Sequence, residues 1–357
     1  MVGRGRLHRP AGSLHCGNSG TTARLLMGLL AAHRFPARLT GDRSLRRRPM
    51  RRVTDPLTAM GARFVPDRAD RLPLEIRGGP LDPLRWELPV SSAQLKSAIL
   101  LAGVAGGVPV SVREPAGLSR DHTERMLAAL GYDLRVHEGW IDLAAGGPVP
   151  PFDMAIPGDS SSAAFLVGAG VLGARALTLG GVGLNPTRIG FLAVLHRMGA
   201  AVRAEAAGAT LGEPIGAIHA APGDLRATTV SASEVPGLID EIPLLAVVAA
   251  RAAGVSRFED VGELRVKESD RLGLMAANLV RLGYRASGEG NTLVVEGSDH
   301  PPRGRIRTDG DHRIAMAFGV LGLVPGARIS IDDRACVAVS FPGFFDLLDQ
   351  VKRGRLS

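Results

Sequence analysis

Two kinds of apolar stretch recur along the chain in a fixed order. The first opens on small polar residues and runs into Ala, Leu, Val and Gly. Its starts are Asn18-Ser19-Gly20-Thr21, Ser91-Ser92, Asp159-Ser160-Ser161, Asp240-Glu241 and Asp311-His312, spaced 73, 68, 81 and 71 residues apart. The second carries apolar residues at helical intervals, as at Leu272, Met275, Ala276, Leu279 and Leu282, and closes on a Leu-Gly or Met-Gly step. These steps are Met60-Gly61, Leu130-Gly131, Met198-Gly199 and Leu282-Gly283. Each leads into an alternating strand, a turn and a second strand, clearest in GYRASGEGNTLVVEG at Gly283–Gly297. The predicted unit is helix, strand, helix, hairpin. It occurs five times, the last shortened to FPGFFDLLDQ at Phe341–Gln350. An α/β fold built from α+β repeats follows, in two domains. Residues 1–155 hold two units and residues 156–357 hold three, so the first domain reads as one unit short.

Length and composition narrow the class. The 357 residues suffice for two domains with sizeable cores, and 45% hydrophobic content fits an ordinary globular protein. Two cysteines, Cys16 and Cys336, give neither a disulfide framework nor a metal-ligand spacing, so a reducing compartment and no metal are expected. The basic N-terminus is followed by no signal-type apolar core, and no uninterrupted apolar run is long enough to span a membrane. A cytoplasmic location is expected. A net charge of +8 raises nucleic acid as a partner, but aromatic residues are only 4% of the chain, too few for stacking platforms. A small polyanionic substrate explains the charge better. Of 43 basic residues only Lys96, Lys267 and Lys352 are lysines. Where nearly every cation is arginine, a surviving ammonium hints at work a guanidinium does poorly.

Candidate chemistry gathers at the helix starts, whose unpaired N–H groups attract anions. Capping explains each start taken singly, and is the favoured job for Asp159 to Ser162. GNSGTTAR, Gly17 to Arg24, is a small-residue turn opening a helix, without the Gly-Lys-Ser/Thr end of a Walker loop. In GDRSLRRRPMRR, Gly41 to Arg52, the proline after Arg48 biases that arginine to extended backbone, placed for a bidentate grip on a carboxylate or phosphate. SSAQLKSA, Ser91 to Ala98, and SRDHTERM, Ser119 to Met126, offer hydroxyls at helix starts. LIDEIPLLAVVAA sets Asp240 and Glu241 at the head of an almost wholly apolar helix, as caps or, near a substrate hydroxyl, as a general base. GDHRIAMAF repeats the arrangement with His312 and Arg313. In GELRVKESDR, Lys267 and Arg271 share a face if the stretch is helical, which calls for a neighbouring anion. Asp270, three residues from Lys267, and Glu268, three from Arg271, offer local relief. No G-x-S-x-G and no Ser/His/Asp signature marks a hydrolase.

Nine stretches in order, CGNSGTTARLL, GDRSLRRRPM, SSAQLKSAILLAG, SRDHTERML, PGDSSSAAF, LIDEIPLLAVVAA, LRVKESDRL, GDHRIAMAF and SFPGFFDLL, cover nearly the whole chain. Together they resemble the enolpyruvyl transferases, and within them the branch acting on shikimate 3-phosphate. The resemblance implies two similar domains of three βαβαββ-type units each, five of six being present here, with the active site in the cleft between them. It implies transfer of the enolpyruvyl group of phosphoenolpyruvate to the 5-hydroxyl of shikimate 3-phosphate through a tetrahedral intermediate, with release of phosphate. No metal or other cofactor is implied, and a monomer is expected. For phosphoenolpyruvate it assigns Asn18, Gly20, Arg48, Gln94, Arg271 and Arg313. For shikimate 3-phosphate it assigns Ser92, Gln94, Ser119, Arg120, Asp240 and Lys267. Asp240, Lys267 and Glu268 would move protons.

Three departures accompany the resemblance. The family's N-terminal segment with its Gly-Asp-Lys-Ser turn is not found, Glu263 stands where some members have Asn, and Val339 where some have Lys. The first sets the expectation that the 357-residue chain turns over slowly or not at all, as a truncated form. The nearest rival activity, on UDP-N-acetylglucosamine, calls for a reactive cysteine near the arginine-rich segment, and Gly41 to Arg52 has none.

Overall fold

A computed structural model describes residues 5, 7–66, 70–115, 119–173 and 175–354. The chain forms two compact units, Met1–Met154 and Ala155–Ser357. Each repeat predicted from the alternation builds its own small sheet, and all but the third gain a short leading strand.

In the first unit, β1 (Leu14–His15), α1 (Gly20–Ala31), β2 (Pro36–Thr40), α2 (Arg51–Ala59), β3 (Arg63–Val65) and β4 (Leu74–Arg77) give a sheet of order β1-β2-β4-β3. Next, β5 (Leu84–Glu87), α3 (Ala93–Gly106), β6 (Val110–Arg113), α4 (His122–Ala129), β7 (Leu134–His137) and β8 (Trp140–Leu143) repeat it as β5-β6-β8-β7. The first pair in each sheet is parallel and the others antiparallel. This is a βαβαββ unit, a crossover helix followed by a hairpin.

In the second unit, α5 (Ser160–Leu172), β9 (Leu177–Gly183), α6 (Gly190–Arg197), β10 (Ala201–Thr210) and β11 (Glu213–Ala221) form the third repeat. Its leading strand shrinks to a single parallel bridge, Gly158 to Val182. The fourth repeat is complete: β12 (Thr229–Val230), α7 (Ile242–Ala249), β13 (Val255–Phe258), α8 (Arg271–Arg281), β14 (Arg285–Glu289) and β15 (Thr292–Glu296). The fifth has β16 (Arg303–Ile306), α9 (His312–Leu321), β17 (Arg328–Ile331) and α10 (Phe344–Arg353), without a hairpin among the described residues.

Burial explains the two helix types. Every residue of α7 is buried, and most of α5 and α9 are. These helices pack on one another, as α1 packs on α3 in the first unit. A helix surrounded by protein has no polar face to keep. By contrast, α2, α8 and α10 bury a single stripe, so their sequences keep the helical period. Small residues in the inner helices permit close approach. A Cβ added at Gly28 of α1 would overlap the Ala98 backbone carbonyl of α3, which cannot swing aside. Gly28→Ala is therefore expected to cost about 1–3 kcal/mol, the usual penalty of overpacking. Urea unfolding checks it, with Gly79→Ala, where a Cβ meets nothing within 4 Å, as the neutral control.

No helix among the described residues is long and apolar enough to cross a membrane.

Candidate active site

Helix starts and the turns before them hold the candidate residues, half of them at inner helices, and each unit gathers its own set. In the first unit Ser19 caps α1 by accepting the Thr22 N–H. The turn before it carries Asn18, whose Oδ1 accepts from Arg48 Nη2 at 3.0 Å and whose Nδ2 donates to Asp42 Oδ2 at 2.7 Å. Arg48 has φ −75° and ψ 139°, the extended backbone its proline dictates. Arg24, one helical turn into α1, donates to Gln94 Oε1 at the head of α3, and Gln94 Nε2 donates to Thr21 Oγ1 at 2.8 Å. Gly20 lies under these guanidiniums: a Cβ there would come within 2.8 Å of Arg24 Nη1 and 3.4 Å of Arg48 Nη1. Burial, then the charges of Arg48 and Arg52, lower the Arg24 pKa to about 10, leaving it protonated at neutral pH. The result is a cationic floor over an open helix N-terminus, a surface that selects anions.

Ser92 and Ser119, 27 positions apart in sequence, meet at a third residue. Glu114, just past β6, accepts the Ser92 N–H at 2.8 Å and the Ser119 O–H at 2.6 Å on Oε1, and the Ser119 N–H at 2.9 Å on Oε2. Lys96 Nζ lies 2.9 Å from Glu114 Oε2 and 2.6 Å from Glu124 Oε1. Lys96, one of the three lysines, is thus wholly buried between two glutamates. Ser119, which the sequence places at a helix start, is not at the cap position of α4. Asp121 is the residue at that position, and the Ser119 hydroxyl turns to Glu114. Arg120 follows it in the loop before α4.

In the second unit the heads of α5, α7 and α9 share one network. Asp240 Oδ1 lies 3.6 Å from Arg271 Nη1 and Oδ2 lies 3.9 Å from Arg313 Nη2, and Arg313 Nη1 donates to the Asp240 carbonyl at 3.0 Å. Arg271, 1% exposed at its side chain, also reaches Glu268 Oε2 at 2.5 Å and Asp311 Oδ2 at 2.8 Å. Asp311 in turn caps α9 by accepting the Arg313 N–H at 2.9 Å. Glu241 makes no side-chain cap bond. It accepts from Ser161 Oγ at 2.5 Å, which itself accepts from Arg188 Nη2 at 2.6 Å.

The electrostatics follow from burial against these partners. Burial opposes ionisation of Asp311, but the charge and hydrogen bond of Arg271, with the Ser269 hydroxyl, hold its pKa below the ordinary value. Burial also works against the charged form of Arg313, and the carboxylates of Asp240, Glu241, Asp159 and Glu268 outweigh it and raise its pKa. Burial pushes the Glu241 carboxyl up, while Asp240 faces the guanidiniums of Arg271 and Arg313.

At His312, burial and then the charge of Arg313 lower the pKa from 6.5 to about 4. A depressed folded-state pKa means the unfolded chain takes up the proton first as pH falls. The contribution is present above pH 6.5 and is lost as pH drops through about 4. It amounts to about 3 kcal/mol at 1.36 kcal/mol per unit. Urea unfolding at pH 7 and pH 4, compared with His312→Asn, checks it. An imidazole titrating above pH 6 by NMR would contradict it.

The geometry thus brings together Asn18, Gly20, Arg48 and Gln94, then Ser92 and Ser119, then Asp240, Glu268, Arg271 and Arg313. Lys267 stands apart from the last set. It precedes α8, which begins at Arg271, and its Nζ bonds Glu263 Oε1 at 2.6 Å rather than Asp270, which caps α8 through Gly273 N–H. Arg271 does meet Glu268, as their spacing suggested. Sequence reasoning missed Arg24, Glu114, Ser161 and Arg188 as members of these clusters. Each differs from its neighbours only in what lies opposite it in space. Among the described residues no group of three or more His, Cys, Asp or Glu could hold a metal ion.

A family model described as EPSP synthase (3-phosphoshikimate 1-carboxyvinyltransferase) matches residues 2–348. The chain belongs to the EPSP synthase family. Relatives named 3-phosphoshikimate 1-carboxyvinyltransferase include one from Desulforamulus reducens, 43% identical over 98% of this chain and 82% of its own length. Another, from Rhodospirillum rubrum, is 46% identical over 97% of this chain and 79% of its own. A solved EPSP synthase from Acinetobacter baumannii superposes with a TM-score of 0.85 at 40% identity, covering 96% of this chain and 79% of that one. The enolpyruvyl transferase NikO from Streptomyces tendae, at 20% identity, shares the fold with a TM-score of 0.70 over 92% of this chain and 75% of that one. The two-helix-type repeat is thus the enolpyruvyl transferase fold, and the chain is an enolpyruvyl transferase of the EPSP synthase family.

Proposed function

We propose that the chain joins phosphoenolpyruvate and shikimate 3-phosphate, releasing phosphate, with the residue roles below. The family match over residues 2–348 carries the activity. Asn18, Gly20, Arg48 and Gln94 in the first unit, with Arg313 and Arg271 in the second, are assigned to phosphoenolpyruvate. Ser92, Gln94, Ser119, Arg120, Asp240 and Lys267 are assigned to shikimate 3-phosphate. Asp240, beside two guanidiniums, takes the proton of the 5-hydroxyl as that oxygen bonds C2 of the enolpyruvate, and C3 gains a proton from Glu268 or Lys267. The tetrahedral adduct then breaks its C2–O bond to phosphate, C3 returns its proton, and the double bond re-forms. Arginine charges and helix N-termini hold the developing anions. Arg271 already holds three carboxylates, so its grip on phosphoenolpyruvate exchanges one of them. Glu268, with a side chain 25% exposed, is the accessible one, and its release frees it for the C3 proton.

The reading extends to a cytoplasmic monomer, which two free cysteines suit. Neither cysteine is set up as a nucleophile. Burial raises the Cys16 thiol, and burial with the charge of Asp333 raises Cys336 to about 12. That disfavours the UDP-N-acetylglucosamine enzyme, and the family match over residues 2–348 favours the shikimate 3-phosphate transferase. Phosphate release by the purified chain is the test. It should require phosphoenolpyruvate and shikimate 3-phosphate together. Release with UDP-N-acetylglucosamine in place of the shikimate, or none with either, would overturn the reading.

A further inference from the structure

We propose that Glu114, held by Lys96, is a positioning residue that presents Ser92 and Ser119 to the phosphate of shikimate 3-phosphate. This rests on the reading of those serines as shikimate 3-phosphate ligands.

Glu114 and Lys96 both have fully buried side chains. A buried ion pair is a weak stabilising device, because desolvation consumes most of its attraction and an apolar pair would pack as well. What an apolar pair could not do is bind four donors at once. Glu114 takes the Ser92 N–H, the Ser119 N–H, the Ser119 O–H and the Lys96 ammonium. Lys96 adds a bond to the Ser119 carbonyl at 3.3 Å. Ser119 is therefore gripped at three of its own atoms, although it sits in a loop that no helix or strand constrains. Ser92 is held in extended backbone, φ −157° and ψ 113°, at the head of α3, and its hydroxyl does not cap that helix. Glu124 on α4 binds the far side of Lys96, so three consecutive elements of the repeat fix the carboxylate. The two serines reach each other through this one side chain.

A serine has a single O–H to donate. In the ligand-free chain that proton goes to Glu114 Oε1. On binding, the hydroxyl swings to a phosphate oxygen while the backbone N–H bond to Oε2 keeps the residue in place. Glu114 then acts by sparing the ligand the entropy of ordering the loop, which appears in affinity and not in the chemical step.

The test uses the full chain. Shikimate 3-phosphate affinity is measured by calorimetry, with kcat and the KM for phosphoenolpyruvate from phosphate release. Glu114→Gln keeps the shape but turns an amide N–H toward the Ser119 N–H and Lys96. Glu114→Asp keeps the charge beside Lys96, so it preserves the fold if the glutamine variant does not, but falls one methylene short of the serines. In either, the dissociation constant for shikimate 3-phosphate should rise tenfold or more, with kcat at saturation and the KM for phosphoenolpyruvate within threefold. In a Ser119→Ala background, Glu114→Asp should cost much less than in the parent. Parent-like affinity in both variants, or costs that simply add, overturns the inference while leaving the proposed function standing. Failure of the parent to bind shikimate 3-phosphate overturns the function and this inference with it.

Discussion

Asp240→Asn lowers kcat by about 10²–10⁴, the range general-base catalysis supplies, with KM values changed by a few-fold at most. Asparagine keeps the shape of the side chain and leaves the backbone bond from Arg313 to the residue 240 carbonyl intact. It removes the charge that lies 3.6 Å from Arg271 and 3.9 Å from Arg313, and with it the site that accepts the hydroxyl proton. Neutral asparagine also leaves both guanidiniums with one carboxylate fewer. The measurement is steady-state phosphate release at saturating substrates, with circular dichroism to confirm the fold. A kcat within threefold of the parent would remove Asp240 from the role of base. Glu241, one residue on, is no substitute, since its side chain is buried and its Oε1 is committed to Ser161.

The second large effect is on stability. Arg271→Leu is expected to lose about 3–5 kcal/mol, the cost of orphaning buried charges. Its guanidinium is the meeting point of Asp240, Glu268 and Asp311, and leucine removes the counter-charge the three carboxylates share, leaving Arg313 beside Asp240. Asp311 suffers most, being fully buried and holding the cap of α9. The pH dependence has a definite sign. In the parent, the depressed pKa of Asp311 contributes stability above its unfolded value of 3.8 that is lost as pH falls through the folded one. The variant lacks most of that contribution, so the gap between the two should be full at pH 7 and narrow in acid. Urea unfolding at both ends of the range measures it. A difference below about 1 kcal/mol at pH 7 would show the network to be dispensable.

Much of the fold was legible because its signals are local. Helix heads at Ser19, Asp159 and Asp311 announce themselves as caps, and the closing Gly steps at Gly61, Gly131, Gly199 and Gly283 take positive φ angles, which glycine adopts without strain. The leading strands were not legible. At two residues each, β1 and β12 are too short to show alternation, and the third repeat has only a bridge. The partner of Lys267 was not legible for a related reason. Charge spacing in GELRVKESDR reads as one helix, but the helix starts at Arg271, so Lys267 finds Glu263 instead.

The chain's own order of residues was enough to establish the repeat, the buried and half-buried helices and the family, since periodicity and capping act over one or two turns. It also named most side chains of the candidate site, because they sit at helix heads. Which of them meet was settled only by packing. Arg271 finds Asp311 40 positions away, Arg313 finds Asp240 at 73 and Ser161 finds Glu241 at 80. Apolar burial brings α5, α7 and α9 together without direction. The register in which they lock then decides which carboxylate faces which guanidinium, and no local pattern encodes that register.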